Sequence, residues 1–175
     1  MQNVTRLFDF PYYQLEHHNL PDALVTKYGN EWVKTSTQEY INKANALSRA
    51  LLNLGIQKND KIAIISSNNR TEWHISDIGI LQTGAQNIPV YPTISSEDYE
   101  YILNHSEAKY CFVSDQEVYD KLKAVHSRIP LLVEIYSYNE ISGCKKWSDL
   151  VESGSDTSNQ NVVEERKNNV LPTDL

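Results

Sequence analysis

Residues 55–113 read GIQKNDKIAIISSNNRTEWHISDIGILQTGAQNIPVYPTISSEDYEYILNHSEAKYCFV, and the alternation of segments within them decides the fold. Residues 61–66, 87–91 and 110–114 are short apolar runs, and residues 131–136 add a fourth. Each is rich in Ile, Val or aromatic side chains, the composition of strands buried on both faces. Between them lie three amphipathic segments, 71–82, 97–104 and 116–126, read as helices. Ser95-Ser96-Glu97-Asp98 is a capping signal for the second, with Tyr99, Ile102 and Leu103 marking its face. Asp115 caps the third, whose stripe is Val118, Leu122 and Val125. The spacing leaves room for a crossover helix between successive strands, so the strands are expected to run parallel. The predicted class is α/β, a doubly wound, mostly parallel sheet flanked by helices.

Upstream, Ser36-Thr37-Gln38-Glu39 is a capping box, followed by Tyr40, Ala44, Leu47, Leu51 and Leu54 on one helical face and Gly55 as the stop. A strand is expected at 31–35, and residues 1–30 read as an irregular segment punctuated by Pro11, Pro21 and Gly29. Downstream, 147–152 reads as a short helix. Residues 152–170 are polar without a strong period and read as a loop with at most a helical turn. The expected division is therefore 1–30 as an N-terminal segment, 31–151 as an α/β subdomain and 152–175 as a polar linker.

The chain has 175 residues, 40% of them hydrophobic, enough for one buried core. Its formal net charge of −7 argues against a nucleic-acid partner, which needs clustered Lys and Arg. Cys111 and Cys144 are too few and too far apart for a disulfide framework or a metal motif, and Cys111 reads as a core residue. No basic-then-apolar leader is visible, and no run is long enough to cross a bilayer. The expected compartment is the cytoplasm, with at most peripheral membrane association. The Asn-X-Ser/Thr triplets at Asn3, Asn69 and Asn104 are then chance matches.

In an open parallel sheet, ligands bind beyond the carboxyl ends of the strands. Those ends carry Ser66-Ser67-Asn68-Asn69-Arg70, Tyr91-Pro92-Thr93 and Ser114-Asp115. The first leads into a helix N-terminus, a natural anion site. Yet neither GxGxxG nor GxxxxGK[ST] occurs, and the six glycines are dispersed. No Ser sits in a G-x-S-x-G setting. The adjacent His17 and His18 point differently and make a poor metal pair, while His74, His105 and His126 read as helix-surface or helix-end residues. Trp73 reads as a core anchor. Chemistry alone describes a sheet domain without catalytic machinery or a metal.

The order of several short motifs adds a resemblance. Lys58-Asn59-Asp60-Lys61, Asn69-Arg70-Thr71-Glu72-Trp73, Gly84-Ala85, Pro89-Val90-Tyr91-Pro92-Thr93, Tyr101-Ile102-Leu103 and Ser106-Glu107-Ala108-Lys109 follow one another as they do near the N-terminus of long-chain fatty-acid–CoA ligases. Those enzymes belong to the acyl-adenylate-forming superfamily. The resemblance implies a full-length, AMP-forming enzyme that uses ATP, Mg2+, CoA and a fatty acid, and a homodimer is compatible with it. It also implies that the chain is an N-terminal piece, inactive alone. Family members continue from a motif like Pro172-Thr173-Asp174-Leu175 into a Ser/Thr/Gly-rich phosphate loop. By comparison with acetyl-CoA synthetases, it points to Tyr91, Thr93 and Lys121, with Lys123 beside it, as residues near the CoA nucleotide. The plainer and preferred reading is that Pro92 stiffens a turn and the lysines form a solvated helix face. The alternative to the whole scheme is a free-standing flavodoxin-like binding or regulatory module, for which only Asp115 stands at a suitable strand end.

Overall fold

The computed structural model describes residues 4–174, so Asn3 of the first triplet and Leu175 of the last motif lie outside the described residues. The chain opens with α1 (Asp9–His17), a hairpin of β1 (Leu24–Tyr28) and β2 (Glu31–Thr35), and α2 (Thr37–Asn53). It continues through β3 (Lys61–Ile65), α3 (Thr71–Leu81), β4 (Gln86–Val90), α4 (Ser96–Ser106), β5 (Ala108–Val113) and α5 (Gln116–Lys123). The last elements are β6 (Glu134–Ser137), β7 (Lys145–Lys146), α6 (Trp147–Ser153) and α7 (Gln160–Asn168).

β3 to β7 form one parallel sheet in the order β4-β3-β5-β6-β7, as the spacing predicts. Side chains alternate between its faces. Ile62, Ile64, Tyr110 and Phe112 join a core roofed by α2, α3 and α6. Ala63, Ile65, Cys111 and Val113 join a second core roofed by α4 and α5. Burial on both faces explains why these strands read as continuous apolar runs rather than alternating ones. β4 lies at one edge and carries Pro89.

The caps are where the residues demanded them. Ser36 Oγ accepts the Glu39 amide while Glu39 reaches back to the Ser36 amide, closing the first turn of α2. Ser95 and Asp98 do the same for α4, and Asp115 accepts the Val118 amide at α5. α2 is the spine: Thr37, Tyr40, Ala44, Leu47, Ser48, Ala50 and Leu51 are all buried. Its contact with α3 is close because Ser48 Oγ donates to the Gly79 carbonyl at 2.7 Å.

Three readings need correction. The described part of the 1–30 segment, residues 4–30, is not irregular, since it holds α1 and β1. In α1, Pro11 falls in the first turn, where its missing N–H costs nothing. β1 and β2 are joined through Gly29-Asn30, with Gly29 at φ 59°, the left-handed conformation a two-residue hairpin loop asks of its first residue. Residues 152–170 are not a loop but hold a 3-10 turn (Thr157–Asn159) and α7. α7 buries Val163, and Lys167 lays its ammonium 3.8 Å from the Tyr12 ring centre. The fourth strand begins three residues later than its apolar run suggests; Leu131 and Val133 are exposed and lead into it. No described helix is long and apolar enough to cross a membrane.

The end of α6 rests on α2 through Gly154. A Cβ there would stand 2.0 Å from the Ala46 carbonyl oxygen and 2.8 Å from the Ala50 amide nitrogen, both backbone atoms in a helix that cannot yield. Gly154→Ala is therefore expected to cost about 2–3 kcal/mol through overpacking. Urea denaturation of the variant against the unaltered chain measures it.

Candidate functional site

β3 passes by α3 on one face of the sheet to β4, whereas β5 passes by α5 on the other face to β6. The carboxyl ends of neighbouring β3 and β5 thus diverge, which opens the crevice where ligands bind in open α/β sheets. Here that crevice holds the protein's own Arg70.

Arg70 is 5% exposed. Its Nε and Nη2 donate to the two carboxylate oxygens of Glu72 at 2.9 and 2.8 Å, a bidentate pair, and its Nη1 donates to Asn139 Oδ1 at 3.0 Å. The guanidinium lies against the rings of Tyr28 and Tyr138, 5.6 and 5.0 Å from their centres. Tyr28 donates its hydroxyl to Glu72 at 2.6 Å, and the Tyr138 hydroxyl donates to Ser76. Burial alone would raise the Glu72 carboxyl, but Arg70 and then Tyr28 outweigh it and hold the group below its ordinary value. Burial, followed by the bond to Glu72, pushes the Tyr28 hydroxyl up to about 12. At the start of α3, Thr26 Oγ1 accepts the Thr71 amide. The helix end that reads as an anion site is therefore closed by β1 and by Glu72. Alongside, Ser114 Oγ accepts the Ser67 amide and donates to Asp115.

Tyr91, Thr93 and Lys121 lie near one another at the carboxyl end of β4. Tyr91 is 79% exposed, Thr93 is exposed, and Lys121 donates to the Pro92 carbonyl at 3.4 Å while pairing with Glu117. The same carbonyl accepts the Tyr99 hydroxyl. Lys123 stands apart, 5.2 Å from the Tyr119 ring centre. Among the described histidines, His17 stacks on Tyr13, His105 stacks on Tyr101, His74 is exposed, and His126 meets the Leu132 carbonyl. Trp73 is half-buried against the core, and Cys111 is fully buried. Among the described residues, no three His, Cys, Asp or Glu side chains are grouped to hold a metal ion.

A cleft of about 910 Å³ escaped the sequence reading. It opens between the hairpin, α2 and the α6–α7 connection, and Arg49 lines it. Arg49 joins residues far apart in the chain, donating to the Gly154 carbonyl and to Gln160, so no local pattern announces it.

A family described as AMP-binding enzyme matches residues 14–174. The chain belongs to this family. Among curated relatives, the long-chain-fatty-acid–CoA ligase ACSBG2 of Xenopus laevis is 27% identical over 139 residues, which cover 77% of this chain and 19% of that protein. The long-chain-fatty-acid–CoA ligase FadD15 of Mycobacterium bovis is 31% identical over 124 residues, covering 71% of this chain and 20% of that protein. The chain thus spans about a fifth of the length of these relatives. In three dimensions it is similar to the anthranilate CoA ligase AuaEII, crystallised with anthranoyl-AMP, with a TM-score of 0.69 at 21% identity over 83% of this chain and 26% of that one. That likeness supports the fold. The flavodoxin-like alternative is not favoured by these matches.

For this AMP-binding family chain, the Arg70–Glu72 pair generates a prediction. Glu72→Gln leaves a buried guanidinium without its counter-charge and is expected to cost about 3 kcal/mol at pH 7. A carboxyl whose folded value is depressed stabilises above its unfolded value, 4.5, and that contribution is lost as pH falls through the lower folded value. The gap between the unaltered chain and the variant should hold above pH 4.5 and close as the solution is acidified further. Urea midpoints measured across this range test it; a gap that does not change with pH contradicts the assignment.

Proposed function

We propose that the chain is the N-terminal part of an AMP-forming long-chain fatty-acid–CoA ligase. The observation that carries this reading is the family match over residues 14–174, together with relatives named as long-chain-fatty-acid–CoA ligases. In the whole protein, a fatty-acid carboxylate attacks ATP to give acyl-adenylate and pyrophosphate. The CoA sulfur then displaces AMP to form the thioester, and Mg2+ accompanies the ATP. The work is done in the cytoplasm, with at most peripheral contact with a membrane, and a homodimer is compatible with it.

The sequence has no glycine-rich phosphate loop, and among the described residues no three His, Cys, Asp or Glu side chains are grouped to hold a metal ion. No chemical step is therefore assigned to them. Residues 31–151 act in this reading as a wall of the larger domain, with 152–175 leading onward. The CoA nucleotide lies against the Tyr91–Thr93 turn: an exposed aromatic ring suits a base, and the ammonium of Lys121 beside it suits a phosphate.

Two measurements test the reading. Fatty-acid-dependent ATP–pyrophosphate exchange should be found in a longer protein that contains this chain and be absent from the 175-residue chain. Exchange by the 175-residue chain itself contradicts it. In the longer protein, Lys121→Glu should raise KM for CoA about fivefold with kcat unchanged, as expected for a surface charge contact worth up to about 1 kcal/mol. An unchanged KM removes Lys121 from the CoA site and leaves the turn as a purely structural feature.

A further inference from the structure

Asn87 Oδ1 is buried without a hydrogen-bond partner among the described residues, and it belongs to an amide that already bonds a carboxyl group. Asn87 stands on β4, at the edge of the sheet, and donates through Nδ2 to Asp77 Oδ1 of α3 at 2.9 Å. An ionised carboxylate only accepts, so it offers nothing to Asn87 Oδ1. Turning the amide over sets acceptor against acceptor and strands the Nδ2 donor instead. A protonated carboxyl group has a donor as well. Its O–H can serve Asn87 Oδ1 while its other oxygen keeps the Nδ2 bond, and the orphaned acceptor is then satisfied.

The surroundings of Asp77 favour the neutral form. No described cation lies within ion-pair distance of it. Burial pushes its carboxyl above the ordinary 3.8, and the Asn87 bond and then the exposed His74, on the same helix, oppose this only in part. From α2, Tyr40 adds no cation; its hydroxyl donates to the His74 carbonyl, and burial and then the Asp77 charge push its own ionisation up. β4 carries no titratable residue, and the β3 residue paired with Asn87 is Ile62. We infer that Asp77 and Asn87 form a proton-held clasp between α3 and β4, closed by two hydrogen bonds while Asp77 is a carboxylic acid and half-open once the proton leaves. The strand it holds runs directly into the exposed Tyr91–Thr93 turn, so the proton sets how firmly that turn is anchored. The inference does not rest on the ligase reading.

A carboxyl group whose folded value is raised stabilises fully below its unfolded value, 3.8, and that contribution is lost as pH rises through the folded value. Asp77→Asn tests the clasp, because an amide facing an amide keeps both hydrogen bonds and cannot ionise. Its urea midpoint should exceed that of the unaltered chain by roughly 0.5 M at pH 7, and the gap should close as the solution is brought down to pH 3.8. Asp77→Ala, which leaves the Asn87 amide with no partner, should fall below Asp77→Asn at every pH. Should the variants fail to fold, carbon-13 and nitrogen-15 resonances of the unaltered chain decide. The Asp77 carboxyl and the Asn87 side-chain amide should then titrate together, with one midpoint above 3.8. A lower urea midpoint for Asp77→Asn at pH 7, a gap that does not change with pH, or a carboxyl midpoint at or below 3.8 overturns the proposal.

Discussion

A guanidinium buried at the end of a sheet must be answered by charge and by oriented dipoles, and Arg70 recruits its answer from three parts of the chain. Glu72 comes from the first turn of α3, Tyr28 from β1, and Asn139 and Tyr138 from the loop after β6. Arg70 itself precedes α3 by one residue. Beside it, the hairpin is tied to the start of α3 where Thr26 meets Thr71. The ion pair therefore does two jobs. It fixes the path of the chain from β3 into α3, and it fastens the hairpin over the mouth of the sheet. The crevice that the topology opens is occupied by the protein's own Arg70 and its partners.

Much of the fold was legible because local chemistry and tertiary structure agree. Ser36 with Glu39, Ser95 with Asp98, and Asp115 each cap the helix that their spacing implies. Ile62 to Ile65 read as a strand buried on both faces, and each face has its own core. The elements that were missed fall into two kinds. Gly29-Asn30 between Val25-Thr26 and Val33 was a readable hairpin signal that went unused. α1 and α7 had no such signal. α1 is aromatic-rich with a proline in it, and α7 buries one apolar side chain, Val163, beside a lysine folded over Tyr12, so neither shows a stripe.

The site residues divide in the same way. Tyr91, Thr93 and Lys121 are grouped by the resemblance to acetyl-CoA synthetases and by no local pattern, and the geometry brings Lys121 onto the Pro92 carbonyl. Arg49 could not be singled out. On α2 it sits among Ala46, Ser48 and Ala50, and its charge acquires meaning only when Gly154 and Gln160 close over it from the far end of the chain. A contact between residues that distant leaves no imprint on the pattern of either segment.

Pro89 sits in β4, the strand that borders the sheet. Because proline has no amide hydrogen, it denies one donor to any strand approaching that border. A chain with its apolar strands stacked in parallel is at risk of joining its neighbours into fibres, and this residue acts as a gatekeeper against growth from that side. The opposite border is guarded differently, by a strand only two residues long, both of them lysines.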